Sequence, residues 1–119
     1  MIVAIDHVQL AMPCAGETRA RDFYVGVLGL AEVAKPAELA TRGGCWFENA
    51  AVRVHLGVDR EFHPARKAHP AFRVADLAAL LARARDRGVP IHDEEQRGGE
   101  HRAYLDDPFG NRIELIETL

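Results

Sequence analysis

Polar and apolar residues alternate along the first stretch of the chain, 2–12. Val8, Leu10 and Met12 fall on one face and His7 and Gln9 on the other, the pattern of a half-buried strand with a polar side. Pro13 and Gly16 end it. Over 17–28 the period becomes helical, with Ala20, Phe23, Tyr24, Val27 and Leu28 on one stripe and Gly29 where a C-cap is wanted. Three strands are predicted next, over 30–34, 45–48 and 52–58. The last alternates Val52, Val54 and Leu56 against Arg53, His55 and Gly57.

The same order of elements then returns. Residues 69–74 read as a strand with Pro70 near its start, and Asp76 is placed to cap a helix carrying Leu77, Leu80, Leu81 and Ala84 on its inner face. Gly88 stops that helix, with Pro90 behind it. Strands over 91–94, 101–106 and 112–117 follow, the last two joined by Asp107-Pro108-Phe109-Gly110-Asn111, a run of turn-forming residues. The chain is therefore read as one α+β domain of two β-α-β-β-β modules, 1–58 and 69–119, joined by a linker over 59–68.

Composition narrows the function classes. With 119 residues, 48% of them hydrophobic, the chain has enough apolar material for a core without disulfides. A net charge of -3, with no run of Lys and Arg, gives no basis for nucleic-acid binding. The two cysteines, Cys14 and Cys45, form neither a disulfide scaffold nor a C-x-x-C zinc motif and fit a reducing cytosol. No window approaches the ~20 apolar residues of a membrane span, and the N-terminus reads as a strand rather than a signal peptide.

The repeat changes how the polar residues are seen. Laying one module on the other matches His7 with His69 on the first strands and His55 with Glu114 on the last. All four lie on polar strand faces, which the helices leave free to meet across a cleft. A single histidine in such a place is ordinarily just solvated. Four metal-competent side chains at two pairs of equivalent positions point instead to one divalent cation held by three imidazoles and a carboxylate, a set suited to Zn, Ni, Fe, Mn or Co. Gln9 and Arg53 share faces with His7 and His55 and are candidate substrate contacts, with Trp46 and Phe47 as a possible apolar wall. In the linker, Arg60, His63, Arg66 and Lys67 precede His69, and Arg66 and Lys67 are candidates to hold an anionic substrate group.

The segment Asp6-His7-Val8, the run Ala20-Arg21-Asp22-Phe23-Tyr24 with Val27-Leu28-Gly29-Leu30, and the ending Asp106-Asp107-Pro108-Phe109-Gly110-Asn111-Arg112-Ile113-Glu114-Leu115 together resemble the vicinal oxygen chelate superfamily. Its members include glyoxalase I, methylmalonyl-CoA epimerase, extradiol dioxygenases, fosfomycin-resistance enzymes and bleomycin-binding proteins. The resemblance covers essentially the whole chain. It implies paired βαβββ modules forming a U-shaped mixed sheet around a metal cleft. It places His7, His69 and Glu114 on ligand positions of most metal-binding members. His55 stands where glyoxalase I has Glu and the epimerase has Gln, a departure from both.

What the resemblance implies for activity is a divalent-metal enzyme of lyase or isomerase type, binding a small substrate through vicinal oxygens, with Glu114 as ligand and Glu114 or His55 moving a proton. A second reading is an Fe(II) extradiol dioxygenase, in which His55 is catalytic and Tyr104, ten residues before Glu114, assists. A third is a metal-free drug- or metabolite-binding resistance protein. A homodimer is also implied, with sites in some members assembled from modules of two chains.

Overall fold

The computed structural model describes residues 1–119 and divides them into two compact units, Met1–His63 and Pro64–Leu119. The first runs β1 (Val8–Met12), α1 (Glu17–Tyr24), β2 (Ala31–Val33), β3 (Cys45–Glu48) and β4 (Arg53–Val58), with a 3-10 turn at Ala37–Arg42 between β2 and β3. The second runs β5 (Ala71–Arg73), α2 (Leu77–Asp86), β6 (Ile91–Arg97), β7 (Glu100–Asp106) and β8 (Arg112–Thr118). Each unit holds one four-stranded sheet, in the orders β1-β4-β3-β2 and β5-β8-β7-β6. The first strand of each unit pairs parallel with its last, and the other pairings are antiparallel. The βαβββ pattern read from the sequence is thus present twice, with identical strand order.

Period-2 alternation explains which sheet face is covered. In the first unit Leu10, Met12, Phe47, Val54 and Leu56 are buried together with Ala20, Phe23, Tyr24 and Val27. The Tyr24 ring stacks on Phe47 at 5.3 Å between centroids, seating α1 on β3. In the second unit Ala103, Leu105, Ile113 and Leu115 are buried with Leu77, Leu80, Leu81 and Ala84 of α2. Asp76 caps α2 by accepting from the Ala79 N–H at 2.9 Å, and Glu117 of β8 accepts from the Leu77 N–H at 3.0 Å. Two carboxylates therefore meet the positive end of the helix.

The turn between β7 and β8 is built from side chains. Asp107 Oδ1 accepts from the Phe109 and Asn111 N–H groups, and Asn111 Nδ2 donates to Asp107 Oδ2 at 2.9 Å. Asn111 Oδ1 in turn accepts from the Ala65 N–H at 2.8 Å, which ties the segment before β5 to this turn. Both side chains are buried, so their mutual bonding satisfies groups that water cannot reach.

Several element limits differ from the sequence reading. Residues 2–7 are not strand: β1 begins at Val8, opposite Val54, and β4 begins at Arg53, so the residues before His7 have no strand partner. Ile2, Val3 and Ile5 are exposed in consequence. α1 stops at Tyr24 rather than continuing to 28, because the chain passes into wider turns in which Val27 and Leu28 both donate to the Phe23 carbonyl. β5 is shorter than 69–74 and β6 extends past 94 to Arg97, through a bulge between His92 and Glu95. Gly44, which precedes β3, has φ +86° and approaches the Leu56 carbonyl so closely that a Cβ would lie 2.1 Å from its oxygen. Only glycine fits there. No helix is long and apolar enough to cross a membrane.

Candidate functional site

The uncovered face of the first sheet gathers His7, Gln9, Trp46, Glu48, Arg53 and His55. Register explains the grouping, since Gln9 and Trp46 are the two cross-strand neighbours of His55. Three rings stack in series: Trp46 on His55 at 3.9 Å and 2° from parallel, then His55 on His7 at 4.2 Å. His55 is 7% exposed, and burial, followed by the neighbouring His7, holds its pKa below the ordinary imidazole value. A neutral ring keeps a lone pair for a metal or a proton. His7 Nδ1 donates to Asp6 Oδ1 at 2.8 Å, and Arg53 holds Asp6 Oδ2 at 3.2 Å. A carboxylate only accepts, so the His7 proton sits on Nδ1 and the Nε2 lone pair is free. These residues line an open recess of about 300 Å³.

Gln9 reaches this recess because residue 57 is glycine. The amide lies across β4 where a side chain would otherwise stand, and a Cβ on Gly57 would be 2.6 Å from Gln9 Nε2.

The second unit repeats the arrangement. His69 precedes β5, as His7 precedes β1. Glu114 is the third residue of β8, as His55 is the third of β4. Tyr104 stands opposite Glu114, as Trp46 stands opposite His55. His69 Nε2 meets Glu114 Oε1 at 3.0 Å, and His69 Nδ1 points at the Arg66 and Lys67 carbonyls, 3.1 and 2.9 Å away. Glu114, 9% exposed, accepts from Arg102 through Oε2 at 3.2 Å. Arg102 also donates to Glu100 at 2.6 Å, an interaction that raises the arginine pKa and lowers that of Glu100. The Tyr104 ring meets His69 edge-on at 5.6 Å.

The four expected donors thus stand as two pairs, His7 with His55 and His69 with Glu114, one pair in each unit. No cluster of three or more His, Cys, Asp or Glu able to hold a metal forms in the structure. The donor chemistry of each pair nonetheless fits a first-row divalent ion: two imidazoles in one, an imidazole and a carboxylate in the other. Among the expected substrate contacts, Gln9 and Arg53 line the first recess and Arg66 lines a second, of about 500 Å³. Lys67 does not line either recess; it offers only its carbonyl to His69.

Asp6, Arg102, His92 and Arg112 were not singled out from the sequence. Alternation along β7 and β8 would have found Arg102 and Arg112, which share faces with Tyr104 and Glu114. No local signal marks His92, because the β6 bulge decides what it faces.

Residues 4–115 match the model of the Glyoxalase/Bleomycin resistance protein/Dioxygenase superfamily. Among solved structures, the chain is similar to a Bacillus anthracis protein ascribed to the glyoxalase family, with 43% identity and a TM-score of 0.92 over 100% of this chain and 98% of that one. The fold is shared at lower identity with the fosfomycin resistance protein FosX. The Listeria monocytogenes protein is 18% identical with a TM-score of 0.79, covering 100% of this chain and 96% of that one. The Mesorhizobium loti protein is 17% identical with a TM-score of 0.76, covering 100% and 95%. No curated protein matches the sequence.

Proposed function

The chain belongs to the Glyoxalase/Bleomycin resistance protein/Dioxygenase superfamily, and we propose that within it this protein is a glyoxalase-like metalloenzyme in which His7, His55, His69 and Glu114 bind one divalent cation (Zn, Ni, Fe, Mn or Co). Its substrate is a small, anionic molecule presented through two neighbouring oxygens, and its chemistry is of lyase or isomerase type. The observation that carries this reading is the register equivalence of the two donor pairs. Each has a histidine just before the first strand and a ligand-type side chain at the third position of the parallel strand beside it.

The cation supplies Lewis-acid polarisation of the substrate oxygens when bound. The protein's own groups do the rest. Asp6 fixes the His7 ring, and the Arg66 and Lys67 carbonyls fix that of His69. Arg102 holds Glu114 Oε2, which leaves Oε1, the oxygen facing His69 Nε2, as the ligand atom. His55, kept neutral by burial, has a single lone pair, which serves the cation or, once substrate has displaced the ring from it, takes a proton from substrate carbon. The Tyr104 hydroxyl has no hydrogen-bond partner within the chain and can donate to a substrate oxygen. Gln9, Arg53 and Arg66 orient the substrate, with Lys67 a weaker candidate.

A ring-cleaving Fe(II) dioxygenase is the second reading, favoured by one observation: Tyr104 packs against His69 while His55 is buried and neutral. Metal-reconstituted protein should convert thiol adducts of small 2-oxo aldehydes, and lose that activity with chelator and in His55→Gln. Oxygen uptake with catechols by the iron-loaded protein would replace the first reading by the second. A metal-loaded protein inert in both assays, but binding small drugs, would leave a binding protein. The protein is also proposed to be a homodimer; light scattering at one chain mass would contradict that.

A further inference from the structure

The larger recess lies wholly in the second unit and is lined by Arg66, Ile91, His92, Asp93, Tyr104 and Arg112. Its volume of about 500 Å³ is in the range of small-molecule sites. Two of its polar residues are already committed. Arg66 donates to Asp106 Oδ1 and to the Gly110 carbonyl at 2.9 and 2.8 Å, and His92 Nε2 meets Asp106 Oδ2 at 3.0 Å. Asp106 thereby fixes both side chains and neutralises Arg66.

Three polar groups in the recess remain uncommitted. The Arg112 guanidinium lies over the Tyr104 ring, 5.5 Å from its centroid, and pairs with no carboxylate. The Tyr104 hydroxyl and the Asp93 carboxylate are also without partners in the chain. Asp93 sits at φ +51°, on the bulge of β6. A non-glycine residue in that conformation costs energy that the surrounding structure must supply, and such positions gather at ligand sites.

We infer that Arg112 and Tyr104 form an oxyanion subsite that holds the carboxylate or phosphate-type end of the substrate. This rests on the reading of His69 and Glu114 as ligands for the other end. Arg112 and Glu114 are two residues apart on one strand and share a face, which separates them by roughly 7 Å. The substrate class is therefore a compound with two vicinal oxygens at one end of a short chain and an anionic group at the other, as in 2-oxoglutarate. Asp93 disfavours a second negative charge beside the first. Arg66, neutralised by Asp106, contributes shape rather than charge.

The subsite can be tested without metal. In chelator-treated protein, glutarate and inorganic phosphate are titrated while the Arg112 side-chain and Tyr104 ring resonances are followed by NMR. Both probes should shift these signals. Arg112→Ala should weaken glutarate about tenfold or more, Arg112→Lys should restore part of the affinity, and Arg85→Ala, at an ion-paired surface arginine, should not alter it. Asp93→Asn, tolerated at positive φ, should tighten glutarate several-fold. Affinities indifferent to Arg112→Ala, or to Asp93→Asn, would overturn the subsite.

With metal present, 2-oxoglutarate should bind more tightly than 2-oxovalerate, which lacks the second carboxylate, and Arg112→Ala should abolish the difference. Loss of the glutarate response with metal binding intact defeats the subsite alone. Metal-free glutarate binding in a protein that takes up no metal defeats the reading on which the chelated end rests.

Discussion

Trp46 lies face to face with His55, the ring centroids 3.9 Å apart and the planes 2° from parallel. The contact follows from register: the two residues are partners across β3 and β4 on the uncovered side of the sheet. Because Trp46 is the sole tryptophan, its emission reports on this one imidazole. A protonated imidazole quenches indole fluorescence, and burial, then His7, holds the His55 pKa below 6.5. Emission of metal-free protein should therefore fall with pH through a midpoint below 6.5, and His55→Asn should remove the step. The sign extends to stability. Between the folded pKa and 6.5 the unfolded chain binds more protons at this site, so His55 makes the fold less stable as pH drops through that window. A midpoint above 6.5 would contradict the burial argument.

Asp6 should matter to metal affinity without touching the metal. Its carboxylate fixes His7 through Nδ1, and such partners typically contribute about 10- to 100-fold to affinity. Asp6→Ala should weaken binding by that order in a chelator competition assay, while Asp6→Asn, which still accepts through its amide oxygen, should weaken it less. Asp6 is exposed, so the thermal midpoint of the metal-free protein should hardly move.

The two cysteines should differ sharply in reactivity. Cys14 is exposed, whereas Cys45 is 1% exposed and burial pushes its thiol up to about 11. A thiol reagent at neutral pH should label Cys14 alone in the native protein and both residues after unfolding. Prompt labelling of both in the native state would contradict the packing around β3.

Asn111 carries the turn that leads into β8. Removing its side chain takes the acceptor from the Ala65 N–H and one donor from Asp107 Oδ2. Asn111→Ala should cost about 2 kcal/mol or more, seen as a lower denaturant midpoint with an unchanged slope. The variant should also disturb Arg66, whose neighbour Ala65 is held by Asn111.

How far the sequence could be read depended on whether local pattern and pairing agree. β3 and α2 were legible because alternation, capping by Asp76 and the stop at Gly88 all act within a few residues. The apolar residues before His7 carry the same alternation as β1, yet no strand lies beside them, and periodicity is blind to a missing neighbour. The pairing of His7 with His55 and of His69 with Glu114 was legible through the repeat, since equivalent positions in duplicated modules inherit equivalent faces. Their immediate environment was less so. Arg102 at Glu114 and Asp106 between Arg66 and His92 depend on cross-strand register and on the β6 bulge, which single-residue spacing does not encode.

The central claim is that His7, His55, His69 and Glu114 serve one divalent cation, and metal content tests it most directly. Elemental analysis of the reconstituted protein should find about one equivalent of Zn, Ni, Fe, Mn or Co per chain, falling to near zero in a folded His7→Ala, Glu114→Ala double variant. The identity of the metal then selects between lyase or isomerase and dioxygenase assays. A protein that takes up no metal, or a double variant that keeps it, would contradict the account.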